Sequence, residues 1–146
     1  MIESCVVDAS VGIKLFLSEP DSPQAEALFA TLADNPFAQF CVPDLFFIEC
    51  ANILWKYVRR FQYPIHNATS DIEALRQLAL DVVSTADLLP EAFEIATRHD
   101  ITAYDACYLA LANTLGVPLI TADGKLANQM TPHGFDIRVL ADLELE

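Results

Sequence analysis

The sequence predicts an α/β protein in three layers, with helices on both faces of a central parallel sheet of about four to five strands. Three observations carry this. The run Leu119-Ile120 is too short and too apolar for a surface strand, so it reads as the middle of a parallel sheet buried on both faces. Helical segments separate the strand candidates, the alternation that builds such sheets. Of the 146 residues 53% are hydrophobic, so a single domain spanning residues 1–146 can bury roughly two-thirds of its unfolded surface.

Residues 2–7 form a β-branched run that ends at Asp8. The segment from Ala9-Ser10 through Leu17 then reads as a tight turn and a helix. Either Asp8 or Ser10 can cap that helix. Residues 18–23 are a loop with two prolines, and a helix over 23–33 turns Ala25, Leu28, Phe29 and Leu32 inward. Asn35-Pro36 breaks it. Residues 40–42 are the second strand, closed by Pro43, and a long helix covers 44–61.

Glu49 stands out on that helix because Leu45, Phe46, Ile53 and Leu54 surround it at helical spacing. A carboxylate on an apolar face needs a partner, either Asn52 one turn on or a metal ion. Lys56, Arg59 and Arg60 gather at the helix end as the only basic cluster. They complement the helix dipole or face a substrate. Residues 63–69 read as a connector holding His66 and residues 70–80 as a helix. Residues 81–84 read as a weak strand, and 90–99 as a helix with Ala92, Phe93 and Ala96 inward. His99 and His133 lack acidic partners in sequence and read as surface residues.

The most informative stretch follows. Thr102 is an N-cap with Asp105 three residues later, a capping-box arrangement, and Ala106, Leu109, Ala110 and Asn113 share a face. Gly116 supplies a left-handed stop and Pro118 keeps the helix from resuming. The strand at 119–120 leads to Asp123 at its carboxyl edge, where ligands of parallel sheets bind. A short helix over 124–128, a turn over 131–134, a last strand over 136–140 and an acidic tail over 142–146 complete the chain.

Eight Lys and Arg against 21 Asp and Glu leave a formal charge of −13, which disfavours a passive nucleic-acid coat. It leaves room for an enzyme that meets phosphate through bound cations, since metal ions invert local electrostatics. Cys5, Cys41, Cys50 and Cys107 form no C-x-x-C pair, so they read as reduced thiols rather than zinc ligands. The N-terminus lacks the basic start of a signal peptide, and no apolar run reaches membrane-spanning length. These features predict a soluble cytoplasmic protein.

Asp8 and Asp123 follow strands, Asp105 opens a helix and Glu49 faces inward from another, so a parallel sheet can bring the four to one edge. Converging carboxylates repel unless protonated or bridged by cations. Hard oxygen donors without Cys or His select Mg²⁺ or Mn²⁺, and such a site suits metal-assisted phosphodiester hydrolysis.

The motifs Val7-Asp8-Ala9-Ser10, Pro43-Asp44-Leu45 with Glu49-x-x-Asn52, Thr102-x-x-Asp105-Ala106 and Thr121-Ala122-Asp123 resemble, in order and spacing, a PIN-domain protein. The likeness covers nearly the whole chain and is strongest to the VapC-like ribonuclease toxins of type II toxin–antitoxin systems. It implies a PIN-like fold and an endoribonuclease dependent on Mg²⁺ or Mn²⁺. It implies catalytic and metal-binding roles for Asp8, Glu49, Asp105 and Asp123, with Ser10 and Thr121 orienting ligands or water. It also implies an RNA substrate, a small antitoxin that occludes the site, and a homodimer. Phe46, Phe47, Trp55, Tyr57 and Phe61 give the 44–61 helix more large apolar surface than one core stripe uses, either for a partner or for internal packing. Three other readings remain: an RNA-processing nuclease without antitoxin, a non-catalytic binding module, and a phospho-acceptor signalling domain. The last is opposed by the single acid after the first strand and the lack of a Lys after the last.

Overall fold

The computed structural model describes residues 3–144. Ile2 of the first expected strand and the end of the acidic tail lie outside them. Among the described residues five strands form one sheet: β1 (Ser4–Val7), β2 (Gln39–Pro43), β3 (Asp81–Val83), β4 (Leu119–Thr121) and β5 (Ile137–Val139). Their order is β3-β2-β1-β4-β5 and every pairing is parallel. The chain moves outward from β1 through β2 to β3, then crosses back to the other side of β1 for β4 and β5. The strand order therefore reverses between β1 and β4, which places a crevice at their carboxyl ends.

Burial explains why the inner strands are so apolar. Cys5, Val6 and Val7 of β1 and Leu119, Ile120 and Thr121 of β4 are all inaccessible. Successive strand residues face opposite ways, so both faces of the sheet are covered. The edge strand β3 is exposed along most of its length, as its weak sequence signal suggests.

Seven α-helices among the described residues surround the sheet: α1 (Ala9–Gly12), α2 (Ser22–Asp34), α3 (Leu45–Arg60), α4 (Ile65–Arg76), α5 (Thr85–His99), α6 (Ala103–Leu115) and α7 (Gly124–Met130). A 3-10 turn over Ile13–Leu15 extends α1. Every residue of α6 from Ala106 to Ala112 is buried, because α6 lies between β1, β2 and β4 on one side and α5 on the other. Asn113, expected on its inward face, is exposed. At Gly12 an added Cβ would stand 2.5 Å from Cζ of the buried Phe46, so glycine permits the close approach of α1 to α3.

Four local expectations need correction. Helix α4 begins at Ile65 and ends at Arg76, so His66 is an exposed helical residue and Leu78 and Leu80 lie beyond the helix. Packing of Ala68 and Leu75 against the core overrides the weak propensity of the Asn67–Ser70 region. Helix α5 starts at Thr85 with Pro90 inside it, because Thr85 and Asp44 cap each other's helices across the fold. Phe93 points outward, and Ile95 takes the inward place beside Ala92 and Ala96. Finally, His133 is exposed as expected, but His99 is half-buried, its ring 4.5 Å from that of His133.

Cys5, Cys50 and Cys107 are buried free thiols, and Cys41 is a half-buried one. Lys14 is buried with its ammonium 3.0 Å from Glu19 and 2.8 Å from Asp21, which ties the turn after α1 to the start of α2. Among the described residues no helix is long and apolar enough to cross a membrane.

Candidate active site

The site begins where β1 and β4 end. Asp8 leaves β1 in an extended conformation and caps α1, accepting the Val11 N–H at 3.3 Å. Its other partners are hydroxyls: Ser10 donates to Oδ1 at 2.5 Å and Thr121, the last residue of β4, donates to Oδ2 at 2.5 Å. The same hydroxyls accept backbone N–H groups, Ser10 from Ala122 and Thr121 from Asp123, each at 3.0 Å. One hydrogen-bond network thus joins the two strand ends and fixes the Asp8 carboxyl at the switch point. The cap reading and the site reading of Asp8 describe the same geometry.

Asp123 caps α7 by accepting the Leu126 N–H at 3.1 Å and is exposed. Asp105 lies in the first turn of α6, whose N-cap Thr102 accepts the Asp105 N–H at 3.1 Å. Glu49 reaches the same place from α3. Its partner is not Asn52, as the sequence suggested, but Tyr108 on α6, whose hydroxyl donates to Oε1 at 2.6 Å. Tyr108 is buried, and no local pattern could reveal a partner 59 residues away. A Tyr within the apolar run from Ala106 to Ala112 was the available signal, since a buried phenol needs an acceptor.

Asp8, Glu49, Asp105 and Asp123 together line a cleft of about 730 Å³ with Asn52, Trp55, Lys56 and Tyr104 on its walls. Asp8 is 8% exposed, and burial pushes its carboxyl up to about 6 against the pull of its three hydrogen bonds. Asp105 is raised by burial and by repulsion from Asp123, and Glu49 by burial and by Asp105 despite its bond to Tyr108. Carboxyls raised by burial and mutual repulsion gain from a bound cation.

The donor set fits a hard divalent ion: four carboxylates around one cleft, with no thiol or imidazole among the cleft residues. Among the described residues no three His, Cys, Asp or Glu side chains stand close enough to hold a metal by themselves. The fit is therefore to an ion such as Mg²⁺, which takes one or two carboxylates and completes its shell with water and substrate phosphate.

The family model described as PIN domain matches residues 5–129. Ribonuclease VapC3 of Pyrobaculum aerophilum is 39% identical over 126 residues, covering 85% of this chain and 92% of that protein. Among solved structures, PAE2754 from Pyrobaculum aerophilum matches with a TM-score of 0.72 at 20% identity, over 97% of this chain and 93% of that one. A toxin–antitoxin complex from Klebsiella pneumoniae matches with a TM-score of 0.65 at 17% identity, over 95% and 99% of the respective chains. At those identities the two structures speak for the fold.

Proposed function

We propose that this chain, which belongs to the PIN-domain family, is a divalent-metal-dependent endoribonuclease and the toxin of a type II toxin–antitoxin pair acting in the cytoplasm. The observation that carries the reading is the meeting of four carboxylates, from four separate elements, around one cleft at the point where the strand order reverses. PIN-domain ribonucleases are in general dependent on divalent metal, and the likeness to a protein named a ribonuclease VapC supports RNA as substrate.

Asp8, Glu49, Asp105 and Asp123 are the residues from which Mg²⁺ or Mn²⁺ would draw its one or two carboxylate ligands. Such an ion supplies charge neutralisation at the scissile phosphate and activates water at neutral pH. The chain's own residues prepare that chemistry. Ser10 and Thr121 hold both oxygens of Asp8, so the carboxylate that faces the cleft is fixed before substrate arrives. Tyr108 holds Glu49 to α6, coupling two helices that line the same cleft. Asp105 in the first turn of α6 and Asp123 at the N-cap of α7 present their carboxylates to the same cleft.

The toxin reading carries a protein partner with it. A chain of net charge −13 with an acidic cleft suits a small antitoxin whose Arg or Lys reaches the carboxylates. The shared fold with a toxin–antitoxin complex supports that assignment. The PIN-domain likeness also supports a homodimer as the active form.

Cleavage of a panel of structured and single-stranded RNAs tests the function, with Mg²⁺, with Mn²⁺ and with chelator, beside Asp105→Asn. Metal-dependent cleavage absent from the variant is the expected result. Cleavage that persists in chelator or in the variant overturns the metal site. No cleavage together with no metal-dependent rise in Tm favours a non-catalytic module.

A further inference from the structure

Resting on the ribonuclease reading, we infer that Trp55 and Tyr104 are base-stacking residues of the cleft and that Lys56, Arg59 and Arg60 guide the RNA backbone to it. Together they make the site select unpaired strand over duplex.

Both aromatics line the same cleft as the four carboxylates, and both are exposed, Trp55 by 55% and Tyr104 by 64%. They come from two helices, α3 and α6, that the Glu49–Tyr108 hydrogen bond ties together. Tyr104 immediately precedes Asp105. Trp55 belongs to a stripe of α3 that repeats at Ile48 and Asn52, one turn apart, and all three line the cleft. Large aromatics are normally drawn into the core, and Phe46 on the opposite face of α3 is fully buried. Rings left open beside a phosphodiester-cleaving site offer flat faces to bases, and every base has a face to stack.

Charge distribution points the same way. Of the eight cationic side chains, Lys14, Arg76, Arg98 and Arg138 each stand within 4.0 Å of a carboxylate. Among the described residues the other four, Lys56, Arg59, Arg60 and Lys125, make no such pair. Three of them occupy the last two turns of α3 beside Trp55. Lys56 itself lines the cleft, and the Arg59 guanidinium lies 5.9 Å from the centre of the Trp55 ring. In a chain this acidic, three of the four cations without such a pair are gathered on the helix that carries the exposed indole. A polyanion is attracted by that strip. Within a duplex the base faces are already stacked, so the aromatics gain nothing from it.

Trp55 is the chain's only tryptophan, so its fluorescence reports on its own contacts. The test uses the full chain with Mg²⁺ and two substrates, a short unstructured RNA strand and the same strand annealed to its complement. Trp55→Ala and Tyr104→Ala should each raise KM for the single strand about fivefold to a hundredfold, with kcat within about twofold. Trp55→Phe should restore most of the loss. The single strand should quench Trp55 fluorescence and the duplex should not. Preference for the single strand should shrink in both alanine variants. Because both residues are surface-exposed, unchanged Tm verifies that the variants fold.

Cleavage by the wild-type chain with KM and strand preference unchanged in folded alanine variants overturns the inference and leaves the nuclease standing. If those variants instead lose binding to the product of the adjacent reading frame, the stripe is an antitoxin surface and the inference is equally overturned. A wild-type chain that neither cuts RNA nor changes fluorescence with it removes both readings.

Discussion

Asp8 and Glu49 are both carboxylates of one cleft, yet they are held in opposite ways. Asp8 is buried at the junction of two central strands, and Ser10, Val11 and Thr121 satisfy it from within a few residues of the strand ends. Glu49 is half-buried on a helix whose outer stripe is open, and a single hydroxyl from α6 holds it. The first is a corner fixed by the sheet. The second belongs to a wall whose position depends on one long-range contact. The difference separates the part of the site that must be in place before substrate arrives from the part that can meet it.

The comparison is broken most strongly at the corner. Asp8→Asn keeps the size of the side chain and removes its charge, so cleavage should fall by about a hundredfold to a thousandfold, on the scale of losing one fixed electrostatic group from a site. Single-turnover cleavage of the preferred RNA measures this. Retention of wild-type rates would mean that Asp8 is only the cap of α1.

The same variant should be more stable than the wild type in chelator at neutral pH. The Asp8 carboxyl is raised from 3.8 to about 6, so the fold favours its protonated form. That contribution is fully present below pH 3.8 and is lost as pH rises through about 6. At pH 7 the ionised Asp8 then costs about 3 kcal/mol, at roughly 1.4 kcal/mol per pKa unit. Glu49 and Asp105 are raised too and act in the same direction, while Asp44, held low by Thr85, acts in the other. The difference in Tm between wild type and Asp8→Asn isolates one group: it should open between about pH 4 and 6 and close again when Mg²⁺ is added. A difference independent of pH would sink this account.

On the wall, Tyr108→Phe leaves the ring in the core and removes the hydroxyl that Glu49 accepts. A half-buried carboxylate without its donor should lower stability by about 1–3 kcal/mol. Cleavage should fall about tenfold, less than at Asp8, because Glu49 still lines the cleft but no longer in one place. Equal losses at Asp8 and Tyr108 would erase the distinction between corner and wall.

How much of this the sequence disclosed follows the same division. Asp8, Asp105 and Asp123 announced themselves because strand ends and N-caps are written within three or four residues, and the structure places each in such a position. The inner strands were legible from their apolar runs. Glu49 was visible as a misfit on an apolar face, but its partner was not, since a contact between α3 and α6 is set by tertiary packing. For the same reason the start of α5 was misplaced. Pro90 is a stronger local signal than Ser84 or Thr85, and only the fold brings Asp44 to Thr85. The exposed ring of Trp55 was ambiguous in sequence because an amphipathic pattern does not say what lies across from the outer stripe.

The smallest effect is expected where the wall is anchored away from the cleft. The Thr85 hydroxyl accepts the Leu45 N–H at 3.1 Å and donates to the Asp44 carboxylate, which in turn accepts the Thr85 N–H at 2.9 Å. The first turns of α3 and α5 therefore cap each other. Thr85→Ala removes the hydroxyl and leaves the backbone bond, so stability should fall by about 1 kcal/mol, the usual worth of a cap. Cleavage should be unchanged, since Glu49 lies a turn further along α3 and is positioned by Tyr108. If Thr85→Ala slowed cleavage as much as Tyr108→Phe, the wall would be set from the end of α3, and the Glu49–Tyr108 contact would follow its position rather than fix it.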